Sequence, residues 1–223
     1  MPADEFLPDP LHLCIALGPL AAYLIVLGGV NLRSRPLVVS GPRDLAALAV
    51  AVSGLVVAGP MELFMIEGAA QFWGPWVWVM LLAAYALGVV LLVLLMRPRL
   101  IVYHIQLEQW RPVVAEVAAR LDPEVRWAGD GLVLPELGVQ LHLDAVAITR
   151  NVALVSSGPN QNLEGWRRLE RELRKALARV RAPRNPAGMF WLALGLALAL
   201  TVTWQLAQHP GAVAQAFSEM LRL

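Results

Sequence analysis

Residues 76–96, WVWVMLLAAYALGVVLLVLLM, followed at once by Arg97-Pro98-Arg99 and then by the hexapeptide LIVYHI at 100–105, decide how this chain is read. The run carries no charge and has the roughly 20 residues an apolar helix needs to cross a hydrocarbon core of about 30 Å. Trp73, Trp76 and Trp78 cluster at its start, where amphipathic rings sit at headgroup depth. The arginines stop it, and the β-branched, aromatic hexapeptide beyond them has the composition of a buried strand. A membrane helix therefore gives way here, within a few residues, to a region of a different kind.

Three further spans are expected at about 11–30, 45–66 and 189–207, besides the one at 76–96. Leu11 to Val30 contains no charge and follows an acidic leader, Asp4, Glu5 and Asp9. A secretory signal would have a basic start and a small-residue cleavage site, so this run reads as a retained span. From Leu45 to Ala58 the second run is too short to cross, and the helix has to continue through Gly59-Pro60 with a bend. That places Glu62 near its outer end. The fourth run, from Met189, has Phe190, Trp191 and Trp204 at its two ends. Ala47 with Ala51, Ala84 with Gly88, and Gly195 with Ala199 set small residues at helical spacing, as close helix contacts in lipid require.

The bulk composition agrees. Hydrophobic residues make up 58% and charged residues 16% of the 223, against about a quarter charged in a soluble domain. Mean hydropathy is +0.59. The net charge of +1 conceals a segregation. Arg33, Arg35 and Arg43 lie in the first loop, Arg97 and Arg99 follow span three, and Arg181 and Arg184 precede span four. The leader and second loop carry only acids, and of 18 basic residues only Arg222 falls on that side. By the bias of arginine toward cytoplasmic loops, both termini are expected outside and the first loop inside. Lys175 is the only lysine, a bias that fits bacterial GC-rich coding and a bacterial inner membrane. The single cysteine, Cys14, permits no internal disulfide.

Residues 97–187 form the separate region, with fourteen basic and ten acidic residues. After the strand at 100–105, a helix is predicted over about 107–121, with Trp110, Val113, Val114, Val117, Ala118 and Leu121 on one stripe. Asp122-Pro123 ends it. Strands follow at 125–128 and 132–134 around an Asp130-Gly131 turn, then at 139–143 and 151–156. A last helix runs over about 163–180, capped by Asn162, with Trp166, Leu169, Leu173, Leu177 and Val180 inward. The expected fold is thus an integral membrane, mainly α protein. Four transmembrane helices carry a small α+β cytoplasmic domain, β-α-β-β-β-β-α with a mostly antiparallel sheet, inserted between helices three and four. The division is 1–96, 97–187 and 188–223. Beyond His209-Pro210-Gly211, a short apolar stripe from Val213 to Leu221 suits the outer interface or a partner.

Two sets of residues are candidate sites. Glu62 and Glu67 are carboxyl groups at or near membrane depth, where an acid is costly and a desolvated one suits a proton or cation relay. The competing reading puts both at a hydrated interface. Arg167, Arg168, Arg171, Arg174, Lys175, Arg179, Arg181 and Arg184 make the last helix and its exit strongly basic, as contacts to anionic lipid would require. The competing reading is a solvated face, with Glu170 four residues before Arg174. His104, His142 and Asp144 supply two imidazoles and a carboxylate without metal-ligand spacing, so no metal or other cofactor is expected. Ser156-Ser157-Gly158 matches no phosphate-loop pattern and reads as an ordinary connection. Aromatics do not interleave with the arginines, so no nucleic acid is expected.

No motif carries a recognisable catalytic chemistry. The function expected from surfaces alone is that of a noncatalytic scaffold, adaptor or accessory subunit, with the bilayer, anionic lipid and another membrane protein or a second copy as partners. A small oligomeric transporter or channel using Glu62 is the alternative, and a membrane enzyme acting on lipid comes third.

Overall fold

The computed structural model describes residues 10–61, 73–103, 105, 107–146, 151–159, 161–181 and 185–222. In chain order the elements are α1 (Pro10–Leu32), β1 (Leu37–Ser40), α2 (Gly41–Val56), α3 (Trp76–Leu95), β2 (Arg99–Tyr103), α4 (Leu107–Leu121), β3 (Arg126–Ala128), β4 (Gly131–Leu134), β5 (Val139–Val146), β6 (Asn151–Ser156), α5 (Leu163–Leu177), α6 (Ala187–Gln208) and α7 (Pro210–Arg222). Among the described residues, α1, α2 with its extension to Met61, α3 and α6 are the four helices long and apolar enough to cross a membrane. Their ends fall within about a turn of those the sequence predicts, wherever both lie in described residues.

The chain divides into two compact units. One comprises Met1–Val26, Ala46–Leu94 and Trp191–Leu223; the other comprises Leu27–Leu45 and Leu95–Phe190. In the first, α2 runs into a π-helical turn, Val57–Met61, that contains Pro60. Proline has no N–H to donate back to the preceding turn, and a wider turn absorbs the missing bond without ending the helix. Small residues set the helix contacts here. A β-carbon on Gly54 of α2 would stand 1.9 Å from the carbonyl oxygen of Ile15, and one on Gly195 of α6 would stand 2.8 Å from the amide nitrogen of Ile25. Ala51 is buried, whereas nothing lies within 4 Å of a β-carbon on Gly88. Of the three expected small pairs, the one with Gly195 supplies a tight contact and the one with Ala51 a buried residue. The Tyr85 hydroxyl of α3 donates to the carbonyl oxygen of Ala49 at 2.7 Å. α3 itself buries none of its residues.

The second unit is a six-stranded sheet in the order β1-β2-β6-β5-β4-β3, antiparallel throughout. Five of these strands fall where the sequence predicts. The sixth, β1, lies in the link between α1 and α2, which the sequence reading leaves as loop, and pairs Val38 with Val102. Pro36 followed by Leu37-Val38-Val39 is a β-branched run, but too short to stand out beside two apolar helices. Alternation of the strands turns Val38, Val102, Leu154, Leu141 and Leu132 to one face. There they pack with Trp110, Val114, Val117 and Ala118 of α4 and Trp166, Leu169, Leu173 and Leu177 of α5 in one core. The β3–β4 turn falls one residue earlier than predicted, on Gly129-Asp130, because Gly129 takes the left-handed conformation (φ 63°) and leaves Gly131 paired with Ala128.

Polar groups fix the connections. Asp122, fully buried at the end of α4, accepts the backbone N–H groups of Glu124 (2.9 Å), Glu136 (2.8 Å) and Leu137 (3.4 Å), so that one carboxylate holds two turns. The Asn162 side chain caps α5 as expected, accepting from Glu164 and Gly165. Gln161 donates to the carbonyl oxygens of Gln140 and Ser157 and accepts the Trp166 indole N–H at 2.8 Å.

Candidate functional site

One group of basic residues in the second unit lies where α1 ends. Leu32 closes the helix, Arg33, Ser34 and Arg35 follow, and Pro36 leads into β1, the edge strand on which the C-terminal half of α5 lies. Together they line a cavity of about 580 Å³, open to solvent, to which Arg33, Arg35 and Arg174 contribute charge and Leu32, Leu37 and Leu177 apolar surface. Among the described residues, Arg33 and Arg35 have no carboxylate within ion-pair distance. Glu170 on α5 is shared by two guanidinium groups, Arg174 at 2.6 Å and Arg43 at 3.5 Å. The result is a positively charged recess lined in part by apolar side chains.

A second polar cluster closes the other end of the link. Asp44, in the first turn of α2, accepts from the Tyr103 hydroxyl and lies 3.9 Å from Arg99. A carboxylate there also complements the helix dipole. Gly41 makes room for the Arg99 side chain, whose Cγ would stand 2.4 Å from a β-carbon. Its charges are matched, and it reads as a clasp between α2 and β2.

The basic residues singled out from the sequence separate in the fold. Arg167, Arg168, Arg171, Arg179 and Arg181 are exposed, and Lys175 is tied to Glu172 at 2.6 Å. That hydrogen bond from Lys175 holds the Glu172 carboxyl below the usual glutamate range. Of the seven that lie in described residues, only Arg174 lines the recess. Arg184 lies outside the described residues, as do Glu62, Glu67 and His104. His142 and Asp144 are exposed on one face of β5, and among the described residues no group of three or more His, Cys, Asp or Glu side chains is placed to hold a metal. At Ser156-Ser157-Gly158 the amides of Ser156 and Ser157 are engaged by the carbonyl oxygens of Pro98 and Gln140, so they do not form an anion cradle. Cys14 directs its thiol to the carbonyl oxygen of Val202 at 3.8 Å, hence toward a neighbouring helix.

No protein-family model, curated protein or solved structure matches the chain.

What sequence reasoning missed is the pairing of Arg33 and Arg35 with Arg174. The first two were legible only as markers of orientation, because the strand that carries the first loop to α5 was not. The recess can do two things chemically. Its guanidinium groups can bind an anion through paired N–H donors, and its apolar side chains can hold an attached apolar group.

Proposed function

We propose that this protein is a noncatalytic scaffold or accessory subunit of a membrane complex. In this reading it is a multi-pass protein of a bacterial inner membrane, with both termini outside and residues 97–187 on the cytoplasmic side between helices three and four. The observation that carries the reading is the β1–β2 pair. β1 joins α1 to α2 with only four residues before it and none after, β2 follows three residues after α3, and the two strands bond from Leu37↔Tyr103 to Ser40↔Leu100. The pairing of β1 with β2 thus fixes the α1–α2 link to the strand that follows α3 in sequence, and the sheet they join presents an ordered surface. Rigid surfaces are what a docking subunit supplies, since ordering a loose one on binding costs affinity.

Native mass spectrometry of the protein extracted from its own membrane tests this. A different protein held at fixed stoichiometry supports it, and a lone monomer with turnover defeats it. The transporter reading has one specific observation in its favour. A π-helical turn is present at Val57–Met61, next in sequence to Glu62, and such turns often mark functional sites. Ion flux in reconstituted vesicles that disappears in Glu62→Gln would favour it over the scaffold.

A further inference from the structure

We infer that the recess between the 33–36 link, β1 and α5 binds the phosphate headgroup of an anionic membrane lipid. The inference rests on the proposed reading of α1 as a membrane span, and not on whether a partner subunit exists. α1 has 23 residues, about 34 Å at helical rise, slightly more than the hydrocarbon thickness it has to cross. Arg33 is the first residue past its end, so chain connectivity alone sets Arg33, Ser34 and Arg35 at headgroup depth. A phosphate at that depth meets two guanidinium groups without carboxylate partners among the described residues, and a third, Arg174, whose partner Glu170 is shared with Arg43. Arginine suits this role because its planar fork donates two N–H bonds to a phosphate.

The apolar lining selects the source of the phosphate. Leu32, Leu37 and Leu177 offer nothing to a free, fully hydrated ion, but they match the glycerol and first methylenes of a lipid. The exposed arginines on α5 form no comparable enclosure. They supply a diffuse attraction at most, whereas the recess combines charge, enclosure and apolar surface.

The test is titration of the full-length protein in detergent with phosphatidylglycerol and, separately, phosphatidylethanolamine, read by native mass spectrometry. Phosphatidylglycerol should bind preferentially. The R33A/R35A double variant should weaken it about 25-fold, the loss of two charges near a lipid surface expressed as affinity. R167A/R171A, which removes the same charge from the exposed face of α5, should change it less than about threefold, because those side chains do not line the recess and solvent screens their charge. Ser34→Glu, which keeps every arginine but adds a carboxylate at the recess, should weaken it about fivefold on that scale. Equal losses in the two arginine pairs, equal binding of both lipids, or an unaffected Ser34→Glu would each overturn the site. Inorganic phosphate in excess should leave the lipid bound; displacement of the lipid would make this a site for free phosphate instead.

Discussion

Gly54 of α2 lies against Ile15 of α1 so closely that a β-carbon on Gly54 would stand 1.9 Å from the Ile15 carbonyl oxygen. The obstacle is backbone and cannot swing aside as a side chain would. Gly54→Ala is therefore expected to force the two helices apart and cost about 1–3 kcal/mol, the usual penalty of overpacking. Gly88→Ala on α3, where nothing lies within 4 Å, should be neutral or slightly stabilising. Thermal unfolding of both variants in one detergent distinguishes them, and a Gly54→Ala melt equal to the parent would rule out the close approach.

Asp122 ends α4 and gathers three backbone N–H groups while fully buried. Asp122→Ala removes the acceptor and leaves those donors without partners, at a cost of about 1.5–3 kcal/mol for bonds to a charged group. The loss should be local first. Amide hydrogen exchange at Glu136 and Leu137 should accelerate more than at Val152 in the sheet centre, and uniform acceleration would mean the carboxylate does not latch the turn.

Periodicity explains why much of this fold was legible. The stripes Trp110-Val114-Val117 and Trp166-Leu169-Leu173-Leu177 occupy the positions the sequence assigns them, because burying one face of a helix leaves a 3.6-residue imprint. The apolar helices were legible for the opposite reason, having no polar face over a membrane's thickness. β1 was not. Four residues between two apolar helices carry no period, and only their pairing with β2 gives them a structure. The same gap hid the recess, since Arg33 and Arg174 are 141 positions apart and nothing in the sequence joins them. Asp122 read as a helix stop, and its three acceptor bonds depend on a turn at 135–138 that local sequence does not specify.

Lys175 and Glu172 offer a titration test of the exposed face of α5. The Lys175 ammonium donates to the Glu172 carboxylate at 2.6 Å and depresses its pKa. A group whose folded pKa lies below its unfolded one stabilises the fold above the unfolded value, and that contribution disappears as the pH falls through the folded value. The pair is therefore intact at neutral pH and is lost only in acid. Lys175→Met should return the Glu172 carboxyl to the ordinary glutamate range. Side-chain carboxyl carbon shifts in a pH titration report it, and an unchanged midpoint would assign the depression to other arginines nearby.

The proposed orientation predicts a labelling pattern that does not depend on any binding activity. Cys14 is the only cysteine, so a Cys14→Ala background accepts single reporters cleanly. Ala119 on α4 and Gly211 on α7 are both exposed, and nothing lies within 4 Å of a β-carbon on Gly211, so neither substitution disturbs packing. With both termini outside, a membrane-impermeant maleimide added to intact cells should label Gly211→Cys and leave Ala119→Cys unmodified until the cells are permeabilised. The reverse pattern would invert the protein and place its arginine-rich links on the outer face, against the bias that governs short loops. Labelling of both in intact cells would be worse for the reading, because residues 119 and 211 would then share one side of the membrane. An odd number of crossings separates those two positions only if α6 spans the bilayer, so that outcome would remove α6 from the set of transmembrane helices.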